Sequence, residues 1–333
     1  MAILERLSQM QHMTGKNRVV MVLDGMGVAV MEKLLDADGF LRRNMTGVET
    51  AIIPATTVAA TTAYRTGKMP WETGFIGWAQ YFAETDEVIE VFRNTNLYTG
   101  AISKLPRHTN ILPCKTVVES MCDNGQNAFE VMPGFIPGGF DTFEQWLARV
   151  TELCNTHTDA YIYAYWSEPD SSLHDLGTCD ASVRALLRDM EQKIEHALSQ
   201  IENETDILIT ADHGHTDIES LFIDDVPELV DCLQHPLSLE TRCVSMFIKP
   251  ERVADFPELF NKHFGAWFKL VTKSEFETKY LHAGAPVRFI GDFVALATDK
   301  YDLKQRPDTL LLKSHHAGIT PNELNIPIIT MSV

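Results

Sequence analysis

Basic residues are scarce in this chain of 333 residues: 28 lysines and arginines stand against 46 aspartates and glutamates. The formal net charge at pH 7 is therefore −18. Binding to a nucleic-acid polymer relies on lysine and arginine to neutralise phosphates, so we expect no such partner. A small phosphorylated substrate is compatible with this charge, because bound divalent metal ions can supply local positive charge.

Long apolar runs and clustered cysteines are also lacking. No run approaches the roughly 18 apolar residues of a membrane span, and residues 1–17 lack the apolar centre of a signal peptide. The six cysteines form no Cys-x-x-Cys pair, which argues against a disulfide framework or a zinc finger. These absences predict a cytoplasmic protein with no membrane partner, and they leave the oligomeric state open.

Short apolar runs alternate with helical patterns along the chain. Buried strands are predicted at Arg18–Leu23, Ala160–Tyr165 and Ile207–Ile209, and the longest helical pattern covers Asp180–Ile201. This alternation predicts an α/β fold with a mostly parallel central sheet covered by helices on both faces. We expect a single domain over residues 1–333, with a possible small cap or edge elaboration within 225–285.

Less regular segments lie at the two ends. Residues 1–17 are predicted to be a polar lead-in with one or two helical turns. Short strands are predicted at Val287–Ile290 and Thr309–Leu312, where apolar and β-branched residues are enriched.

Aspartates and histidines gather in four separated stretches, three of which follow predicted strands. They are Asp24, Asp170 with His174, Asp212 with His213, and His315 with His316. Ligands of open α/β sheets bind beyond the carboxyl ends of the strands, and these side chains suit Zn²⁺, with Mn²⁺ as an alternative. Two metal sites need about six ligands, which these stretches supply if either His315 or His316 takes part. His215 and Asp217 are further ligand-capable residues of the third stretch.

Thr57 is the candidate nucleophile. It lies near a predicted helix N-terminus, where backbone N–H groups and the helix dipole favour a phosphoryl group. A metal ion could activate its hydroxyl, which is a poor nucleophile at its free pKa. The alternative is that Thr56 or Thr57 caps the helix.

Five segments together resemble the alkaline phosphatase superfamily and, within it, the type I phosphodiesterase/nucleotide pyrophosphatase branch. They occur in the family's order and span nearly the whole chain: VVMVLDGMG at 19–27, PATTVAATT at 54–62 with TGKMPWETG at 66–74, EPDSSLHDLG at 168–177, TADHGHTD at 210–217, and HHAGITPNELNIPII at 315–329. The resemblance implies an alkaline-phosphatase-like fold and hydrolysis of a phosphoric ester or anhydride at two metal ions.

The resemblance also implies roles for individual residues. One metal ion would be held by Asp24, Asp212, His213 and the oxygen of Thr57. The other would be held by three ligands, Asp170, His174 and His316. His316 is preferred to His315 because the family's last ligand histidine directly precedes a small residue, here Ala317. Thr57 takes the position of the covalent nucleophile, so a phosphothreonine intermediate is expected.

Two departures from the family pattern and the position of Arg65 bear on the substrate. Val58 follows Thr57 where nucleotide pyrophosphatases commonly carry an aromatic residue, and Trp78 occupies the position of an asparagine that supports the phosphoryl oxygen. Gln80 or Tyr81 could replace that contact. Arg65 is eight residues from Thr57, about two helical turns, so no arginine clamp for a monoester dianion is evident.

Several functions are compatible with these residues. A phosphodiesterase or nucleotide pyrophosphatase is favoured over a phosphomonoesterase or a phosphonate hydrolase of the same superfamily. A two-metal hydrolase that uses a bridging hydroxide is a further alternative. A sulfatase is disfavoured because the residues after Thr57 do not match its motif. A non-catalytic metal-binding protein is disfavoured because all six ligands are present.

Overall fold

The computed structural model describes residues 2–105, 114–306 and 311–333. Its central sheet has six strands, and five of them run in one direction. The exception is the C-terminal strand, which is antiparallel to both of its neighbours. In spatial order the strands are Met45–Thr50, Asn325–Ser332, Thr205–Thr210, Asn17–Leu23, Ala160–Trp166 and Asn127–Val131.

The central position of Asn17–Leu23 explains its apolar sequence. All seven of its residues are buried, as expected for a strand covered on both faces. Its parallel neighbours are Ala160–Trp166 and Thr205–Thr210. The carboxyl ends of these three strands meet at one edge of the sheet, because Leu23 lies opposite Trp166 and Val22 lies opposite Thr210.

The longest helix in the described part of the chain, Ala181–Leu198, buries Val183, Leu187, Met190 and Ile194 on one face. That spacing is the 3.6-residue period expected of an amphipathic helix. The other α-helices are Ala2–His12, Val28–Leu34, Phe40–Arg43, Thr57–Thr66, Pro70–Thr73, Val117–Asp123, Phe143–Thr156, Asp170–Leu176, Pro227–Val230, Phe256–Phe264, Lys273–Lys279 and Pro321–Leu324.

A second, antiparallel sheet of seven strands lies beside the first, in the order Phe268–Thr272, Phe293–Ala297, Cys243–Met246, Ser238–Leu239, Ala79–Phe82, Glu87–Glu90 and Thr95–Asn96. It combines residues from 79–96 with residues from 238–297, so it extends beyond the elaboration predicted within 225–285. Two small sheets pair Glu219–Phe222 with Tyr301–Lys304 and Thr216–Asp217 with Ser314–His315. The division of the chain into domains stays a prediction.

Two local predictions were wrong. The N-terminal segment forms an 11-residue helix, Ala2–His12, in which Ile3 and Leu7 are buried against the central core. Residues 287–290 form no strand; Val287, Phe289 and Ile290 pack into a core from a loop, and the Val287 N–H donates to Glu277 Oε1 at 2.6 Å.

Half of the strand predicted at 309–312 lies outside the described residues, and the other half, Leu311 and Leu312, is not in a strand. Within the described ranges, no helix is long and apolar enough to cross a membrane.

Candidate metal centre

Three strand ends bring three acidic residues together. Asp24 directly follows the central strand, and its backbone N–H donates to the Trp166 carbonyl at 2.9 Å. Asp170 begins the helix Asp170–Leu176, and its N–H donates to the Asp24 carbonyl at 3.0 Å. Asp212 follows the strand Thr205–Thr210. This shared sheet edge turns residues that are far apart in sequence into one site.

The first cluster consists of Asp24, Asp212 and His213, all of them buried. His213 Nε2 lies 3.3 Å from Asp24 Oδ1 and 3.5 Å from Asp212 Oδ2. The hydroxyl of Thr57 faces the same point, 3.4 Å from Asp24 Oδ2 and 3.2 Å from His213 Nε2. The sequence-predicted members of this site are therefore neighbours in space.

The second cluster consists of Asp170, His174, His215 and His316. From Asp170 Oδ1 the distances are 3.3 Å to His174 Nε2 and 3.8 Å to His316 Nε2. The rings of His213 and His316 stack with centroids 3.7 Å apart, so the two clusters adjoin. His315 belongs to neither cluster among the described residues, in keeping with the preference for His316.

The histidines of both clusters are oriented through their other ring nitrogen. Nδ1 of His174, His213 and His316 lies 2.9, 3.2 and 3.0 Å from the carbonyls of Ser314, Gly214 and Ala55. A carbonyl only accepts hydrogen bonds, so Nδ1 carries the proton and the lone pair is on Nε2, which faces the cluster. This is the arrangement of metal-binding histidines, whose second nitrogen donates to a fixed acceptor.

The electrostatics of the site fit bound cations. Burial, with the nearby charges of Asp212 and Asp170, raises the pKa of Asp24 well above its usual range, and burial also raises the pKa of Asp212. Asp212 Oδ1 accepts from the N–H groups of Gly25 and His213, whereas buried Oδ2 has no hydrogen-bond partner among the described residues. An orphaned carboxylate oxygen beside two like charges is unfavourable unless a cation binds there.

A cavity of about 450 Å³ opens onto the centre. The residues that line it include Thr57, His174 and His316 of the centre, together with Trp78, Arg93 and Glu240. The cavity is large enough for a small phosphorylated molecule.

The two positions that depart from the family pattern have different surroundings. Trp78 lines the cavity, but Val58 is buried in a hydrophobic core that also contains Phe75 and Phe82. Gln80 bonds to the backbone of Ile76 and Gly74, and Tyr81 bonds to Asp86, so neither replaces the missing contact. As predicted, Arg65 is held elsewhere, in a two-bond pair with Glu130.

Sequence reasoning missed two residues of the site and left a third, His215, without a role. His215 belongs to the second cluster, although the sequence marked it only as a further ligand-capable residue. The hydroxyl of Tyr165 donates a hydrogen bond to Asp24 Oδ2. Glu240 lines the cavity, and its Oε1 accepts from Thr56 Oγ1 at 2.6 Å and from the Trp78 N–H at 2.7 Å. No motif marks Tyr165 or Glu240, because their roles depend on long-range packing.

We expect Glu240→Gln to change how the stability of the metal-free protein depends on pH. Burial raises the pKa of Glu240 from 4.5 to about 7. The folded state therefore binds this proton more tightly than the unfolded state, and wild type loses stability as the pH rises from about 4.5 to about 7. The loss is on the order of 3 kcal/mol. Glutamine keeps the acceptor for Thr56 and Trp78 but does not titrate.

Urea unfolding in the presence of a chelator measures this effect. The stability of Glu240→Gln relative to wild type should increase over that pH interval and level off above it. A difference between the two proteins that is constant with pH would contradict the prediction.

Fold and site together define an α/β enzyme with a candidate two-metal centre at the carboxyl ends of its central strands. Residues 18–317 match the Type I phosphodiesterase / nucleotide pyrophosphatase family, and the chain belongs to it. The protein is thus a hydrolase of phosphoric ester bonds.

Solved structures of similar fold include murine ectonucleotide pyrophosphatase / phosphodiesterase 5, in an inactive threonine-to-alanine form in complex with AMP. The TM-score is 0.69 at 16% sequence identity, and the match covers 94% of this chain and 87% of that one. The human counterpart gives a TM-score of 0.71 at 14% identity, with 95% and 87% covered. Phosphonoacetate hydrolase from Sinorhizobium meliloti 1021 with phosphonoformate gives 0.68 at 14% identity, with 95% and 90% covered.

Proposed function

We propose that this protein hydrolyses phosphoric diesters at two divalent metal ions, through a covalent intermediate on Thr57. One observation carries the proposal. The hydroxyl of Thr57, the first residue of the helix Thr57–Thr66, faces both Asp24 and His213, and Thr57 lines the cavity. A nucleophile in this position would meet a phosphoryl group at a helix N-terminus.

The two clusters supply the ligands. Asp24, Asp212 and His213, with the oxygen of Thr57, would hold one ion. Asp170, His174 and His316 would hold the other, and both sets suit Zn²⁺, with Mn²⁺ as the alternative. When bound, two such ions would polarise the phosphoryl oxygens and lower the pKa of the Thr57 hydroxyl.

The chain's own residues account for the covalent step. Thr57 Oγ, having lost its proton to solvent, forms a bond to phosphorus as the bond from phosphorus to the leaving oxygen breaks, and the leaving alcohol takes up a proton. A water molecule then attacks the phosphorus of this intermediate. The bond from phosphorus to Thr57 Oγ breaks, and Oγ is protonated again as the phosphomonoester product leaves. The inactive threonine-to-alanine form of the murine phosphodiesterase supports a threonine in this role.

A phosphonate with a second acidic group is the next candidate. Arg93 and Lys304 line the same cavity and could pair with that group. Arg93 pairs with Glu90 at 3.2 Å and the buried Lys304 pairs with Asp302 at 3.4 Å, so both ion pairs offset part of this positive charge. The S. meliloti phosphonoacetate hydrolase, whose structure is similar, binds a ligand of this class.

We expect aryl phosphodiesters to be hydrolysed faster than aryl phosphomonoesters and phosphonates. The reason is that Arg65 is bound to Glu130 and cannot clamp a monoester dianion. The assay compares kcat/KM for the three classes on one metal-loaded preparation. A preference of tenfold or more for monoesters, about 1.4 kcal/mol in the transition state, would contradict the diester assignment. A preference for phosphonates would favour the second candidate.

A further inference from the structure

His215 lies in the second cluster, although the proposed function assigns it to neither metal ion. Its ring is 1% exposed, and Nε2 lies 2.6 Å from Asp170 Oδ1. We infer that His215 is a positioning residue, which donates a hydrogen bond to Asp170 and aims that carboxylate at the metal site. The inference rests on the proposed function, because it concerns the same centre.

Interatomic distances separate a hydrogen-bond partner from a fellow ligand. Two atoms bound to one tetrahedral zinc ion at about 2.0–2.1 Å lie about 3.3 Å apart. The assigned ligand pairs lie at this separation or beyond it. The distance is 3.3 Å for His174 Nε2 to Asp170 Oδ1 and for His213 Nε2 to Asp24 Oδ1, 3.5 Å for His213 Nε2 to Asp212 Oδ2, and 3.8 Å for His316 Nε2 to Asp170 Oδ1. The 2.6 Å between His215 Nε2 and Asp170 Oδ1 is shorter and is a hydrogen-bond distance.

Proton positions lead to the same conclusion. An ionised carboxylate only accepts hydrogen bonds, so Nε2 of His215 must carry the proton that it shares with Asp170. Nδ1 lies 3.0 Å from Ser314 Oγ, which is also 2.7 Å from the Leu173 carbonyl. Whether the Ser314 hydroxyl donates to His215 Nδ1 or to the Leu173 carbonyl, the proton on His215 Nε2 remains. A protonated Nε2 has no lone pair with which to bind a metal ion.

The surroundings hold the His215 ring in place. Ser314 contacts His215 through its hydroxyl and accepts from His174 Nδ1 through its carbonyl, so one residue orients two histidines of the cluster. On another side lies Gly25, with a φ of 72°. A Cβ at that position would lie 2.9 Å from Cδ2 of His215. The ring therefore has little freedom to turn away from Asp170.

The test compares His215→Ala, His215→Gln and wild type, with His196→Ala as a control. His196 is exposed on the helix Ala181–Leu198, away from both clusters. Zinc binding is titrated with a competing chelator, and the visible spectrum is recorded after saturation with Co²⁺. Melting temperatures of the metal-free proteins show whether each variant folds.

For wild type and the control we expect two bound Zn²⁺ ions. His215→Ala should still bind two at saturation, one of them with a 10- to 100-fold higher Kd. Its Co²⁺ spectrum should match wild type, because the coordinating atoms are unchanged. His215→Gln, whose amide N–H can replace Nε2–H, should restore most of the affinity.

Other results would overturn the inference. An altered Co²⁺ spectrum at saturation, or a stoichiometry of one, would make His215 a ligand. Zinc affinity equal to wild type in His215→Ala would leave it only a packing role. If His215→Ala does not fold, His215→Gln decides: a weak site or an altered spectrum in that variant contradicts the inference. Wild type that binds no zinc would instead remove the proposed function itself.

Discussion

Thr57→Ala should abolish turnover while both metal ions stay bound. The substitution removes the atom that attacks phosphorus, and loss of a nucleophile typically lowers kcat by roughly three orders of magnitude or more. The metal sites keep three protein side chains each. The three that share a site with Thr57 each have another hydrogen-bond partner: Tyr165 for Asp24, the Gly25 N–H for Asp212 and the Gly214 carbonyl for His213. Turnover, metal content and melting temperature are measured on the same preparations.

Thr57→Ser is the matched control, because it retains the hydroxyl and loses only the methyl group that restricts its rotamer. We expect it to keep part of the rate. A capping role predicts a different pattern, with about 1 kcal/mol of stability lost and normal turnover per folded molecule. The geometry already disfavours capping: the N-cap residue is Thr56, and its hydroxyl donates to Glu240. An active Thr57→Ala variant would favour attack by a bridging hydroxide.

Much of this site could be predicted from the sequence because each ligand stretch is short and follows a buried strand. Asp24 and Asp212 each follow the end of a strand by no more than two residues, and the two strands are parallel neighbours. Their proximity therefore follows from the sheet alone. His316 was harder, since it depends on the strand pair Ser314–His315 with Thr216–Asp217. Its neighbour Ala317 has a φ of 84°, a conformation that glycine adopts more readily, which accounts for a small residue at that position.

The parts that sequence reasoning missed depend on contacts between distant segments. The second sheet pairs Leu239 with Ala79, residues that no local pattern connects. The apolar residues within 287–290 are typical of a strand, yet their side chains pack into a hydrophobic core from a loop. Glu240 directly follows Leu239, so the pairing of Leu239 with Ala79 also brings Glu240 to the cavity. The contact of Glu240 with Thr56 could therefore not be predicted from the sequence around either residue alone.

His213→Ala and His316→Ala should each lower the zinc stoichiometry from two ions towards one, and they should empty different sites. His213 contacts Asp24 and Asp212, whereas His316 lies with Asp170 and His174. Each substitution leaves its own site with two assigned Asp or His ligands, and it leaves the other site intact. Because both ions are proposed to act on the same phosphoryl group, we expect turnover to fall by at least about 100-fold in each variant.

Metal analysis after zinc loading at neutral pH, together with kcat, tests this prediction. His315→Ala is the matched control, since it alters the adjacent histidine but belongs to neither cluster in the described part of the chain. That variant should keep two ions. The double variant His213→Ala/His316→Ala should bind none tightly, because the two losses fall on separate sites and therefore add. Two ions retained in either single variant, or loss of zinc only in His315→Ala, would contradict the assignment of ligands on which the mechanism depends.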